Sequence, residues 1–373
     1  MVTNNLTQKN ILITFLFKEG AGPVFTFEMA KGLASNGCNV YVVLSNKISN
    51  RSSWEKESTF KKVHFIETGT RQTAIQATIR FFLVEQFRIR KQYKSIHFDY
   101  VISTFYHPWA STLLNCFNGK KIVICHDPIH HTGVKLMERL MTTLYIKKAD
   151  DIIVLTKSFI PIVEQRFKFS LHNIHYMPHG RMAEYAKQAE SHFSNIEQVT
   201  NKNIKFLFFG RIEKYKGLHV LAKAYKQLVT IYNEIELIVA GSGDFNEYVN
   251  DFKNLPNTKI INSYIPDEQI QSFFDKPNTI LVLPYLDASQ SGVIPIALEY
   301  GVPIIASNTG GLKEQLNDGK IGFFCSPNDE QSLKEQMQYL IEHPDVIKDE
   351  KDKIKSYLQQ LNWDVITKPL LSI

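Results

Sequence analysis

Only four cysteines occur in the 373 residues, Cys38, Cys116, Cys125 and Cys325, and no two of them form a CxxC pair. Their scarcity and spacing exclude a disulfide framework and a cysteine-built zinc site, and leave reduced, partly buried thiols as the expectation. No apolar run approaches the roughly 18 residues that a bilayer span requires. The longest early one, residues 11–17, has no cationic region or cleavage site around it, so a cytoplasmic protein is expected. A DxD triad to chelate a metal, a GxGxxG dinucleotide fingerprint and any nucleic-acid-binding motif are also missing, as are internal repeats and low-complexity segments. No nucleic-acid partner and no cofactor are therefore expected.

What is present is enough apolar sequence, 44%, for more than one core. A single core stops growing at roughly 250 to 300 residues, so two domains follow from length alone. Charge divides the chain in the same way. Residues 1–180 carry 23 basic and 12 acidic side chains, residues 181–373 carry 20 and 25. A basic half suits nucleic acid, an anionic membrane surface or a phosphorylated substrate, and composition does not choose among them.

Short apolar runs alternate with longer amphipathic stretches, the pattern of parallel sheets covered by helices. Strands are expected at 11–17, 40–44, 100–103, 121–125 and 152–155, then at 206–209, 236–240, 279–283 and 303–306. Several runs are apolar on consecutive positions, as where helices bury both faces of a sheet. Leu218, Leu221, Tyr225, Leu228, Val229 and Tyr232 recur at spacings of three and four and predict a one-faced helix over 218–232. The pattern loosens between 178 and 205, which places a domain junction there. The expected fold class is α/β, with two Rossmann-like doubly wound domains at 1–180 and 181–345 and a helical tail at 346–373.

Three segments carry chemistry. The loop from Gly210 to Gly217 lies between a strand and the strong helix, and presents Arg211 and Lys216 where ligands bind in open α/β sheets. The obvious counter-charge is a diphosphate, although a solvated basic loop has the same composition. Between 283 and 303 the chain runs from a strand into a helix with Pro295 in its first turn, which sets Ser291, Gly292 and Val293 at the helix N-terminus, where free amides suit phosphate or sugar oxygens. Glu299, two turns on, faces the same side and is a candidate acceptor for two vicinal hydroxyls, the alternative being an exposed helical glutamate. In the first half, Gly20, Ala21 and Gly22 link the first strand to a helix and let backbone approach a ligand closely. His126 ends a strand. With Asp127, His130 and His131 it invites a metal, but the spacing fits no standard zinc pattern, and a contact to substrate hydroxyls is the better reading.

A last segment, residues 71–94, mixes Ile75, Ile79, Phe82, Leu83 and Phe87 with Arg80, Arg88, Arg90 and Lys91. It reads either as a helix that meets an anionic membrane surface or as an ordinary helix packed on the first sheet.

In order and spacing these motifs resemble family 4 of the retaining glycosyltransferases, of GT-B architecture, over nearly the whole chain. The family's glycine loop corresponds to Gly20, Ala21 and Gly22, and its GR(x)4KG element is matched in full by Gly210, Arg211, Lys216 and Gly217. Its E(x)7E element is half present, with Glu299 in the second place and Ser291 in the first. The resemblance implies that Arg211 and Lys216 hold the diphosphate of a nucleotide-sugar donor, that Glu299 binds the ribose, and that His126 touches the transferred sugar. Tyr264 and Ile265 would lie by the base. Transfer would retain the anomeric configuration without a catalytic metal, to a glycan or lipid-linked acceptor bound by the first domain, and the tail would return toward that domain. A non-catalytic accessory protein of the same fold and a nucleotide-sugar epimerase are the rival readings. Retention of Arg211, Lys216 and Glu299 together speaks against the first, and the lack of paired acid and base carboxylates against the second.

Overall fold

The computed structural model describes residues 8–70, 72–129, 136–186 and 204–373. Contacts divide the chain into two units, one of Met1–Gly180 with Asn362–Ile373 and one of Arg181–Leu361. The polar stretch expected to hold the junction lies mostly at 187–203, outside the described residues.

The first unit is built on seven parallel strands: β1 (Asn10–Phe15), β2 (Asn39–Ser45), β3 (Lys62–Ile66), β4 (Tyr100–Ser103), β5 (Lys120–Cys125), β6 (Asp151–Val154) and β7 (Ile174–Tyr176). They lie in the order β3-β2-β1-β4-β5-β6-β7. The second has six, β8 (Ile204–Phe209), β9 (Ile235–Ala240), β10 (Thr258–Ile261), β11 (Thr279–Leu283), β12 (Ile304–Ser307) and β13 (Phe323–Cys325), in the order β10-β9-β8-β11-β12-β13. Both orders reverse direction once, between β1 and β4 and between β8 and β11, which opens a crevice at the carboxyl ends of those strands.

Every residue of β4, β6, β11 and β12 is buried, and apart from Asp151, which pairs with Lys120 at 2.6 Å, their apolar or small sequences are what a doubly covered strand requires. The strands absent from the sequence reading are β3, β7, β10 and β13, the four sheet edges. Their residues are mostly half-buried, as in Lys62–Ile66 and Thr258–Ile261, and each strand is only three to five residues long, with polar side chains such as Lys62, His64, His175 and Lys259 among the apolar ones. The one-faced helix forms over Leu218–Leu228 with Leu218, Leu221, Tyr225 and Leu228 fully buried. Each such side chain contributes roughly 1.5 to 3 kcal/mol relative to exposure.

The tail differs from expectation. Helix Pro344–Gln360 stays with the second unit because Ile347, Ile354 and Leu358 form a stripe that enters its core. The return to the first unit begins only at Asn362, with the short helix Trp363–Thr367. Trp363 fits a slot that two glycines leave open. A Cβ on Gly32 would lie 2.5 Å from Trp363 Cβ, and one on Gly180 2.4 Å from its ring. Phe25 closes the slot edge-on at 5.0 Å, and Asn36 ties the segment by donating to Asp364 O at 2.8 Å.

Candidate functional site

In the second unit, the loops after β8 and β11, the two strands at the crevice, meet directly. Gly217 adopts φ +66° and a Cβ there would stand 1.9 Å from Pro284 O, so only glycine allows the approach. The amide of Leu286 donates to Tyr215 O at 2.7 Å across the same junction. Lys216 is thereby carried inward and is 8% exposed. Its Nζ donates to Tyr285 Oη at 2.9 Å and sits 4.7 Å from the centre of that ring. Tyr285 Oη in turn shares a hydrogen bond with Ser291 Oγ at 3.2 Å. Ser291 N donates to Gln315 Oε1 at 2.7 Å, and Gln315 Nε2 donates back to Ser291 O at 3.2 Å. Lys216 and Ser291, which are far apart in sequence, thus belong to one buried polar chain. No carboxylate pairs with Lys216 among the described residues.

Arg211 behaves differently. Its side chain is 72% exposed and pairs with Glu213 at 2.8 Å. The two cations of the motif are therefore one buried charge without an acidic partner and one solvated charge with one.

The helix after Ser291 is Val293–Glu299, with Gly292 as its N-cap. Its first amides are mostly committed within the protein, since Val293 N donates to Ser291 Oγ at 3.4 Å and Ile294 N to Ser291 O at 3.3 Å. The free anion site expected from the sequence is accordingly reduced, because the serine folds back on its own helix start. Glu299 is 2% exposed, not a surface glutamate. Arg181 grips it with two prongs, Nε to Oε1 at 3.0 Å and a second nitrogen to Oε2 at 2.9 Å, and Met182 N donates to Oε1 at 3.0 Å. A carboxylate offers about four acceptor positions, so the one that remains is on Oε2. An acceptor of two vicinal hydroxyls needs two, and the expected role narrows to one. Tyr264 is half exposed, at 51%, while Ile265 is buried in the second core.

In the first unit, Gly20 is the N-cap of helix Ala21–Ser35 at φ +86°. Gly22, in its first turn, packs on Phe15, whose ring would lie 2.6 Å from an added Cβ. His126 stacks on Phe105 at 3.8 Å and meets Phe25 edge-on at 5.0 Å. Phe25 also carries His179 at 5.0 Å. Burial, reinforced by the neighbouring His179, pushes the His126 imidazole down to about 3, and burial pushes His179 to about 4. Both rings are then neutral near pH 7, and their partners fix the tautomers. His126 Nε2–H donates to Thr104 O at 2.9 Å and His179 Nδ1–H to Gly180 O at 2.9 Å. Each ring keeps one bare nitrogen as an acceptor. His130 and His131 lie outside the described residues.

Sequence reasoning missed Tyr285, Gln315, Arg181 and His179. Tyr285 stands two residues past β11, a place where ligand-facing residues gather, and was within reach of the pattern. The roles of Arg181 and Gln315 rest on partners 118 and 24 positions away, and no local pattern marks them.

Comparison with known proteins covers both units. Residues 22–183 match the model of Glycosyltransferase Family 4 and residues 190–360 that of Glycosyl transferases group 1. A protein of Haemophilus influenzae described as an uncharacterized glycosyltransferase is 26% identical over 250 residues, covering 65% of this chain and 66% of that protein. The lipopolysaccharide 1,2-N-acetylglucosaminetransferase of Salmonella typhimurium is 25% identical over 158 residues, 39% of this chain and 42% of that one. The matched stretches thus span just under two thirds and under half of these relatives. Among solved structures, Anabaena HepE in complex with UDP and glucose superimposes with a TM-score of 0.70 at 16% identity, covering 98% of this chain and 100% of that chain. That likeness places both units in the GT-B fold class.

Proposed function

This chain belongs to the group 1 glycosyltransferases, and from that premise we propose that it moves a glycosyl unit from a nucleoside-diphosphate sugar to a hydroxyl acceptor. The acceptor is a growing glycan or a lipid-linked glycan, and the anomeric configuration is retained. The observation that carries this reading is Lys216, a buried lysine whose hydrogen-bond partner is the Tyr285 hydroxyl and not a carboxylate. A buried charge is costly unless it is paired, and an ammonium has three donors to offer. A diphosphate supplies the missing charge.

As the bond between the anomeric carbon and the phosphate oxygen breaks, negative charge grows on the diphosphate. A cation already in place lowers that barrier without reorganising. Arg211 adds its charge by exchanging Glu213 for a phosphate oxygen. Glu299 accepts one ribose hydroxyl through Oε2 while Arg181 holds it still. Ser291, with its hydroxyl, amide and carbonyl all committed, supports Tyr285 and leaves the sugar to be read by other groups. Tyr264, beside the buried Ile265, offers the exposed surface for a base. UDP and UDP-glucose, which accompany the Anabaena protein, are the first ligands to try.

A thermal-shift panel of nucleoside diphosphates and nucleotide sugars tests the reading. A ligand at 100 times its Kd stabilises by about 2.7 kcal/mol, which for a unit of this size raises Tm by roughly 5 to 10 °C. Lys216→Ala should abolish the shift and cut transfer about 10² to 10³-fold, whereas Lys214→Ala, an exposed neighbour of equal charge, should do neither. The reading fails if no nucleoside diphosphate shifts the midpoint, or if the two alanine variants behave alike.

A further inference from the structure

We propose that the outward face of residues 74–94 is a docking surface for an anionic lipid bilayer. The segment runs as helix Ala74–Arg80, a π-turn Phe81–Glu85 and helix Gln86–Tyr93. One face packs inward through Ala77, Phe81, Ile89 and Tyr93, with Phe81 stacked on Trp109 at 4.6 Å. That much agrees with an ordinary helix on the first sheet. The opposite face does not, because Ile75 is 75% exposed, Leu83 70%, Phe87 56% and Ile79 54%. A helix apolar on both sides is normally buried on both.

The π-turn keeps the two faces distinct. Side chains repeating every four residues drift around a 3.6-residue helix, and one extra residue in a turn resets the drift. Gln86 secures that turn, with Nε2 donating to Phe82 O at 2.5 Å, while Cys116 Sγ donates to Gln86 O at 3.8 Å. The register thus holds an apolar stripe toward solvent from Ile75 to Phe87.

Charge identifies the occupant. Arg80, Arg88, Arg90, Lys91 and Lys94 are all exposed around the stripe, and the segment's one acidic residue, Glu85, lies between Arg80 and Arg88 at 3.1 Å from each. Interfaces between proteins are depleted of lysine. At a bilayer surface the same mixture is favourable, because apolar side chains enter the headgroup boundary while arginine and lysine extend to anionic lipid. The inference goes beyond the transferase reading and does not rest on it.

The test is flotation of the full chain with vesicles of phosphatidylcholine alone or with phosphatidylglycerol added. Binding is expected only with the anionic vesicles and should weaken with salt. Lys91→Gln and Lys94→Gln should each lower the partition about fivefold. The double variant Leu83→Ser/Phe87→Ser, with an unchanged thermal midpoint, should not float. Equal recovery with both vesicle types, or none with either, overturns the proposal. So does a double variant that floats normally but loses a self-association seen in sedimentation, which would assign the face to a second copy of the chain.

Discussion

Removal of Arg181 isolates the energetic role of the Glu299 clasp. In Arg181→Ala, the Glu299 carboxylate, 2% exposed, keeps one hydrogen bond, from Met182 N, and loses the two from the guanidinium. Stranding one member of a buried ion pair costs about 3 to 5 kcal/mol. Because the Arg181 side chain is itself 31% exposed, water enters as it leaves, and the lower end, about 3 kcal/mol, applies. For a unit of this size that lowers Tm by roughly 6 to 12 °C. Glu299→Gln leaves the guanidinium able to turn toward water and should cost only about 1 to 2 kcal/mol. The double variant Arg181→Ala/Glu299→Gln no longer buries an unpaired charge, so it should be more stable than the sum of the single losses by about 1 to 3 kcal/mol. Arg181→Lys keeps the charge but not the fork and should fall between parent and alanine. Urea and thermal unfolding without nucleotide measure all four. If Arg181→Ala lies within about 0.5 kcal/mol of the parent, the range of an ordinary surface change, the clasp contributes nothing and the reasoning is wrong.

Tyr285→Phe removes the hydroxyl between Lys216 and Ser291 while keeping the ring under the ammonium. Nucleotide binding should persist, kcat should fall more than KM rises, and steady-state kinetics with whichever nucleotide sugar the thermal-shift panel selects would show it. Acid should destabilise the first unit through His126 and His179. Their folded values of about 3 and 4 lie below the ordinary 6.5, so the unfolded chain takes up the protons. Stability is complete above about pH 6.5 and declines as pH falls toward about 3, and His126→Gln/His179→Gln should flatten that decline in unfolding curves taken across the window. Trp363→Ala should cost about 3 to 5 kcal/mol by emptying the slot formed at Gly32 and Gly180, read as a fall in the midpoint of the first unit.

The interior of both sheets was legible because strands covered on both faces have no polar position to hide the pattern, as β4 and β11 show. Edge strands such as β3 and β10 were not, since Lys62, His64 and Lys259 interrupt them at no cost where solvent is near. The same limit applies to the site. Lys216 and Glu299 stand at positions that motif spacing marks, yet nothing local to Arg211 and Lys216 says that one is solvated and the other buried. That difference arises from the loop after β11, which supplies Tyr285. The ribose role drawn from Glu299 was too generous for a related reason. Its partner Arg181 belongs to the same unit but stands 118 positions earlier, at that unit's first residue, where no periodicity connects the two.

The slot occupied by Trp363 sets an order of events during synthesis. The second unit is one continuous stretch, Arg181–Leu361, and has all its strands once that stretch has left the ribosome. The first, although begun earlier, lacks Asn362–Ile373 until the second has been made. At ribosomal rates of about 5 to 20 residues per second, Gly180 emerges roughly 10 to 40 s before Trp363. Through that interval Phe25, Gly32 and Gly180 border an empty groove, and the part of the protein made first is the last to be completed.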